Sequence, residues 1–238
     1  MKRITLFLIL SSIVINGFSQ VPPTLAAIMQ MDNAITALPY SSLRSDQTGS
    51  KCSAHFPIAE WSNHITPNLW SDWQLSQSMT NDDGYCSIYI LFPPGFNGGY
   101  YFGVINYGPM VQGIDILFTA SIENGEYISS IEGAFAFDAG NIENLVCLKQ
   151  WSAGEIRGKK MVTVYHIRPQ TNYLFTQTLP ASFTGVRIDT YYEIDSTGHF
   201  IKKSETTYQP KTYTLQELSD ENTNIWNGNE TVASTQTF

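Results

Sequence analysis

The chain has 238 residues, 42% of them hydrophobic and 14% charged, with a formal charge of −8. The hydrophobic fraction excludes wholesale disorder. The acidic balance excludes a nucleic-acid partner, whose phosphates demand clustered Lys and Arg, and argues against an anionic membrane surface.

Residues 1–20 carry the pattern of a secretory signal peptide. Lys2 and Arg3 give a positive start, Ile4 to Ile15 is almost wholly apolar, and Gly17 and Ser19 precede Gln20. The apolar run is shorter than the ~20 residues a spanning helix needs. Cleavage there removes two cations and no anion, taking the charge from −8 to −10. The remaining chain is expected to be exported to the periplasm or the medium and not to be an integral membrane protein. The strands also lack the lipid-facing apolar band and aromatic girdles of an outer-membrane barrel.

From Thr24, behind Pro22 and Pro23, Leu25, Ile28, Met31, Ile35 and Leu38 recur at helical spacing until Pro39. This predicts one N-terminal amphipathic helix packed on a sheet. Residues 40–57 read as loop, and 56–79 as irregular and rich in tryptophan.

From Cys86 onward the chain reads as strands. Ser87 to Phe92 ends at Pro93-Pro94, and Tyr100 to Tyr107 follows Gly98-Gly99. Ile114, Ile116, Phe118, Ala120 and Ile122 alternate with Asp115, Thr119 and Ser121, which predicts a half-buried strand with the isoleucine side inward. Glu123-Asn124-Gly125-Glu126 is a hairpin turn into a strand over 127–137, because Asn-Gly tolerates the positive φ of a type I′ turn. Arg157-Gly158-Lys159-Lys160 reads as a solvated turn before a strand over 161–167. Strands over 173–178 and 185–194 follow, then a turn at Asp195-Ser196-Thr197-Gly198. The strand over 199–208, polar on one face, suits a solvated or edge position. After Ser219 the chain is polar and acidic.

The expected architecture is therefore α+β and β-dominated: a curled antiparallel sheet or barrel-like meander with one N-terminal helix against it. Residues 21–218 form a single domain, and 219–238 a polar C-terminal tail.

Cys52, Cys86 and Cys147 are the cysteines. In an oxidising compartment two of them pair. Cys147 lies in the apolar run Leu145-Val146-Cys147-Leu148, where a free thiol packs as a small hydrophobe. This leaves Cys52–Cys86 as the expected disulfide.

His55, Glu60 and His64 are the metal candidates. Glu60 and His64, four apart, would share a helix face, although the pattern is not His-Glu-x-x-His and Pro57 interrupts it. Cys147, His166 and Asp189 are the residue types of a nucleophile, base and orienter, without a local motif to join them. Asp82-Asp83-Gly84 and Asp138 to Asn141 read as turns before they read as calcium loops.

The aromatic residues are more telling. Trp61, Trp70, Trp73, Tyr100 and Tyr191 could form platforms that stack on a sugar ring or a protein surface, or they could fill the core. No cofactor is specified. The expected function is a non-catalytic binding protein for an apolar or sugar-like ligand or a protein partner. The alternative is a secreted hydrolase whose catalytic residues are dispersed along the chain.

Overall fold

The computed structural model describes residues 39–41, 54–57, 85–92, 100–108, 114–121, 127–135, 148–170, 181–219 and 225–238. The predicted N-terminal helix and the strand over 173–178 lie outside these residues. The strands are β1 (Tyr40–Ser41), β2 (Ala54–Pro57), β3 (Tyr85–Phe92), β4 (Tyr100–Gly108), β5 (Ile114–Ser121) and β6 (Tyr127–Phe135). They continue as β7 (Leu148–Ile156), β8 (Lys159–Pro169), β9 (Ser182–Ile194), β10 (Phe200–Tyr208), β11 (Lys211–Thr214) and β12 (Val232–Thr237). A short helix, α1, covers Leu215–Ser219, and a 3₁₀ turn covers Ile225–Asn227.

The expected antiparallel, β-dominated chain is found, but the strands do not close into a barrel. They form two sheets. One has five strands in the order β2-β3-β4-β5-β6, each next to its neighbour in sequence. The other has seven, in the order β1-β7-β8-β9-β10-β12, with β11 also on β9. β9 is long enough, at thirteen residues, to pair β10 over Ile188 to Ile194 and β11 over Ser182 to Gly185 along one edge.

The two sheets meet face to face. Tyr100, Phe102 and Val104 of β4 and Leu117 of β5 pack against Trp151 and Ala153 of β7, Val162 and Val164 of β8, and Ile194 of β9. Burying each large side chain among these contributes roughly 1.5–3 kcal/mol. Polar contacts cross the same gap. Trp151 Nε1 donates to Asp115 Oδ2 at 3.2 Å, and Thr119 Oγ1 donates to the Gly198 carbonyl at 2.5 Å.

These contacts correct the expected orientation of β5. Its Asp115-Leu117-Thr119 side faces the second sheet, not its isoleucine side. Ile116, Phe118 and Ala120 are buried as well, so β5 is covered on both faces. Alternation of apolar residues marks one buried face; it cannot say that the face carrying a Thr and an Asp is buried too.

The turns follow from backbone demands. Arg157 and Gly158 both take positive φ, 54° and 75°, as a two-residue type I′ hairpin needs. The solvated turn ends sooner than expected, because Lys160 is buried with its Nζ 4.6 Å from the Tyr100 ring centroid. Burial pulls the Lys160 pKa down, partly offset by Glu155. Between β9 and β10, Asp195 Oδ1 accepts from Thr197 N, Thr197 Oγ1 and His199 N. Gly198 closes that turn at φ 94°, where a Cβ would sit 3.1 Å from Tyr100 Cγ. Gly198→Ala therefore meets both a disfavoured φ and a packed ring, and should cost about 1–3 kcal/mol in urea unfolding.

Tyr100 also makes stability depend on pH. Burial first, then the charges of Asp195 and Glu155, push its pKa up to about 12 from 10.0. The folded chain keeps that proton where the unfolded chain loses it. The stabilisation is complete below pH 10 and is lost as pH rises towards 12. Lys160 acts with the opposite sign, and only below its ordinary 10.5. Denaturant midpoints measured from pH 9.5 to 12 should fall less steeply in Tyr100→Phe than in the wild type.

Candidate functional site

The outer face of the seven-stranded sheet carries a second buried cluster. Ile167 of β8 and Phe183 of β9 pack with Tyr213 of β11 and Trp226 of the 3₁₀ turn. Gly185 on β9 leaves room for this layer: a Cβ there would lie 2.7 Å from Ile167 Cγ2.

Arg187 sits in the middle of the cluster, 5% exposed. Its Nε and Nη2 donate to the two oxygens of Asp189 at 2.8 and 2.9 Å. Its Nη1 donates to Glu230 Oε2 at 2.7 Å and also to the Trp226 carbonyl. The carboxylates are held in turn. Tyr208 donates to Asp189 Oδ2 and Tyr213 to Glu230 Oε1, both at 2.9 Å. The guanidinium lies over the Tyr208 ring at 4.8 Å and near the rings of Tyr165 and Trp226. Burial opposes the Arg187 charge, but the hydrogen bonds and charges of Asp189 and Glu230 outweigh it and its pKa is raised. Burial and the bond to Glu230 likewise raise Tyr213.

This network ties β9, β10, β11, the 3₁₀ turn and Glu230 into one unit. It leads the chain into β12, which corrects the expected 219–238 tail. Residues 225–238 are structured, with Trp226 6% exposed. The reason is that Glu230 and the Trp226 carbonyl of this segment are partners of a buried cation. The polarity of the segment alone reads as solvation. A local signal was also present: Thr214-Leu215-Gln216-Glu217 is a capping box. Thr214 N donates to Glu217 Oε2 at 2.9 Å, and Glu217 N donates back to Thr214 Oγ1 at 3.1 Å.

β12 runs antiparallel along β10, from Thr237 opposite Ser204 to Val232 opposite Tyr208, so β10 is an interior strand and not the edge. Every residue of β12 is exposed. The amide of Phe238 donates to the Lys203 carbonyl at 2.9 Å. Bonding alternates along an antiparallel pair, so Ser234, Gln236 and Phe238 bond to β10. Thr235 and Thr237 aim their amides and carbonyls away from the sheet. A bulge between Ser234 and Val232 leaves Ala233 as the extra residue. Beneath this edge, Glu205 accepts from Lys202 Nζ at 2.9 Å and from Thr190 Oγ1 at 3.4 Å, which pulls its pKa down. Lys202 Nζ lies 4.4 Å from the Phe238 ring centroid.

Among the described residues, the outer strands β1, β2 and β6 are guarded. β1 has two residues, and β2 has four and contains Pro57. β6 carries Glu132 and two register shifts against β5. β12, Val232-Ala233-Ser234-Thr235-Gln236-Thr237, has six residues with no charge and no proline. Short, charged or proline-bearing edges resist pairing with another chain; β12, bulged at Ala233 but regular from Ser234 to Thr237, invites it.

The sequence-derived candidates fall elsewhere. Trp61, Trp70, Trp73, Glu60 and His64 lie outside the described residues, as do Cys52 and Cys147. His55 is on β2 opposite Ser87, and Cys86 is on β3 opposite Phe56. Tyr100 is 2% exposed in the core between the sheets, not on a platform. Tyr191 is half-buried on β9 and donates to Met161 Sδ at 2.8 Å. His166 and Asp189 cannot act as base and orienter on one another. His166 stands opposite Ile188 on β8, so the pleat places it on the other side of the sheet from Asp189. Among the described residues no group of three His, Cys, Asp or Glu is arranged to hold a metal ion, and no helix is long and apolar enough to cross a membrane.

Removing one partner of a buried ion pair strands the other. Arg187→Met should therefore cost about 3–5 kcal/mol in guanidinium unfolding. Glu230→Gln should cost less, because an amide still accepts a hydrogen bond. In that variant the amides of Ser234, Gln236 and Phe238 should exchange faster, while those of Val162 and Val164 keep their protection.

Comparison of the chain with protein-family models, with curated proteins and with solved structures gives no match.

Proposed function

We propose that this chain is an exported, non-catalytic binding module that takes an extended strand of a protein partner along β12. One observation carries this reading. Among the described sheet edges, β12 alone combines six residues, full exposure and the absence of charge and proline. Main-chain groups supply the affinity in strand addition, and alternate side chains supply the selectivity. The Arg187 network supports the reading because it fixes the segment that leads into β12, so the edge is offered pre-ordered and binding spends less on ordering it.

Export rests on the pattern of residues 1–20. A sugar-like ligand finds less support than a protein, since Tyr100 is core and Tyr191 is engaged with Met161.

A photo-crosslinking side chain at Gln236, in the full chain expressed in the producing cells, tests the reading. A discrete protein adduct is expected. It should vanish in Thr235→Pro, which removes an outward amide without touching the β10 ladder, and persist in Thr235→Ala. No adduct, or one indifferent to the proline, overturns the proposal. N-terminal sequencing of the same material should start near Val21.

A further inference from the structure

The outer face of the seven-stranded sheet has a second region, at the end where β7 turns into β8. Gly154 of β7, Met161 of β8, Glu193 of β9 and Ile201 of β10 stand side by side there in one row across the strands. Ile156 and Tyr191 share that face, one step to either side of the row. Ile156 and Ile201 are 56% and 40% exposed, two of the four exposed large hydrophobic side chains among the described residues. The charge in the row is already engaged: Glu193 lies 3.1 Å from Lys159 Nζ and 3.9 Å from Lys203 Nζ. The row begins where the chain enters the sheet. Pro39, just before β1, is 3.4 Å from the place a Cβ on Gly154 would take. β1 runs antiparallel to β7, so the chain reaches Pro39 from the hairpin end.

From this placement we infer that the apolar row is the docking surface for the chain's own residues 24–38, laid across the strands as the amphipathic helix their spacing predicts. That segment lies outside the described residues, and it ends at Pro39, beside the row. The lengths agree. Fifteen helical residues span about 22 Å. From β1 past β7, β8 and β9 to β10 is four strand spacings, about 19 Å. One helical turn, about 5.4 Å, is close to one strand spacing, so the stripe falls one residue to a strand. With Leu38 over β1, Ile35 lies over Gly154, Met31 over Met161, Ile28 over Glu193 and Tyr191, and Leu25 over Ile201. Gly154, without a side chain, gives the low point that lets Ile35 approach the sheet.

The rest of the sheet leaves this place for the segment. The inner face packs on the five-stranded sheet, and the far end of the outer face is filled by Phe183, Tyr213 and Trp226. A helix of fifteen residues is marginal by itself and takes most of its stability from packing its apolar side. Charge agrees as well. Asp32 is the one charged side chain of residues 24–38, while Lys159, Lys203 and Glu193 together carry +1. The row ends on β10 at Ile201, and β12 pairs only from Ser204 onward, so the docked segment leaves the β12 edge open. The inference is therefore independent of the strand-addition reading.

Carbene footprinting of the purified full chain, read by peptide mass spectrometry, tests the docking without any substitution. Val232 and Phe238, 51% and 54% exposed and away from the row, are the internal reference. Ile156 and Ile201 should be labelled several-fold less than these two. Equal labelling of all four overturns the proposal. In Ile28→Asp the labelling of Ile156 and Ile201 should rise to that of Val232, while the core residues Val162 and Val164 stay protected, which separates release of the segment from unfolding. Protection of Ile156 and Ile201 that survives Ile28→Asp also overturns it. Paired cysteines test the register. On mild oxidation, Leu25→Cys with Ile201→Cys and Met31→Cys with Met161→Cys should each form an internal disulfide, located by peptide mapping. The exchanged pairs, Leu25→Cys with Met161→Cys and Met31→Cys with Ile201→Cys, should not. Linkage in the exchanged pairs as readily as in the matched ones, or in none of the four, overturns the register.

Discussion

A guanidinium removed from water must recover its lost hydration from the protein, and Arg187 recovers it from two carboxylates, a carbonyl and three aromatic rings. The partners are far apart in sequence. Asp189 is two residues away on the same strand and the same face. Glu230 lies 43 residues on, past two strands and a helix. The charge therefore determines where the segment after α1 must lie. Without Glu230 at its place, Arg187 would keep Asp189 as its one carboxylate, and Tyr213 would lose its acceptor. The polar segment is held in place because it completes the burial of a cation, a stronger constraint than its sparse apolar residues impose.

That constraint also explains how β9 can be covered on both faces. One face meets the five-stranded sheet through Ile194 and the half-buried Tyr192. The other carries Phe183, Gly185, Arg187 and Asp189 beneath the 3₁₀ turn and Glu230. A strand enclosed on both sides is usually a continuous apolar run. Here charge replaces apolar residues on one face, and the hydrogen-bonded ring of partners makes this tolerable.

Strands with strong alternation and Gly-bearing turns were legible in the sequence. β5, β8, β9 and β10, with the Arg157-Gly158 turn, stand where period and turn chemistry put them. β7 was not read, because its inward residues are Trp151 and Ala153 with Gly154 beside them, and small residues give a weak strand signal. β11 and β12 were not read because their polarity resembles solvation. The division into two sheets was not legible either: local pattern shows which residues alternate, while the choice between closing one sheet and stacking two is made by pairs such as Trp151 with Asp115, 36 residues apart. The Arg187 network has no short motif. Arg187 and Asp189 alternate onto one face of β9, and that spacing by itself does not announce burial.

Strand edges are costly to leave open, and among the described residues β1, β2 and β6 are protected by shortness, proline or charge. On β10, one strand inward, charge is abundant: Lys202, Lys203 and Glu205 stand within four residues. It stops at β12. A Lys in place of Thr235 would guard this edge and would cost the isolated fold little, since that side chain is exposed. The protective residue is thus cheap and near at hand on the neighbouring strand, but missing from the one strand that needs it. Solvation of an isolated surface gives no reason for that distribution. Pairing of β12 with another strand does, because the pairing would be lost with the first lysine.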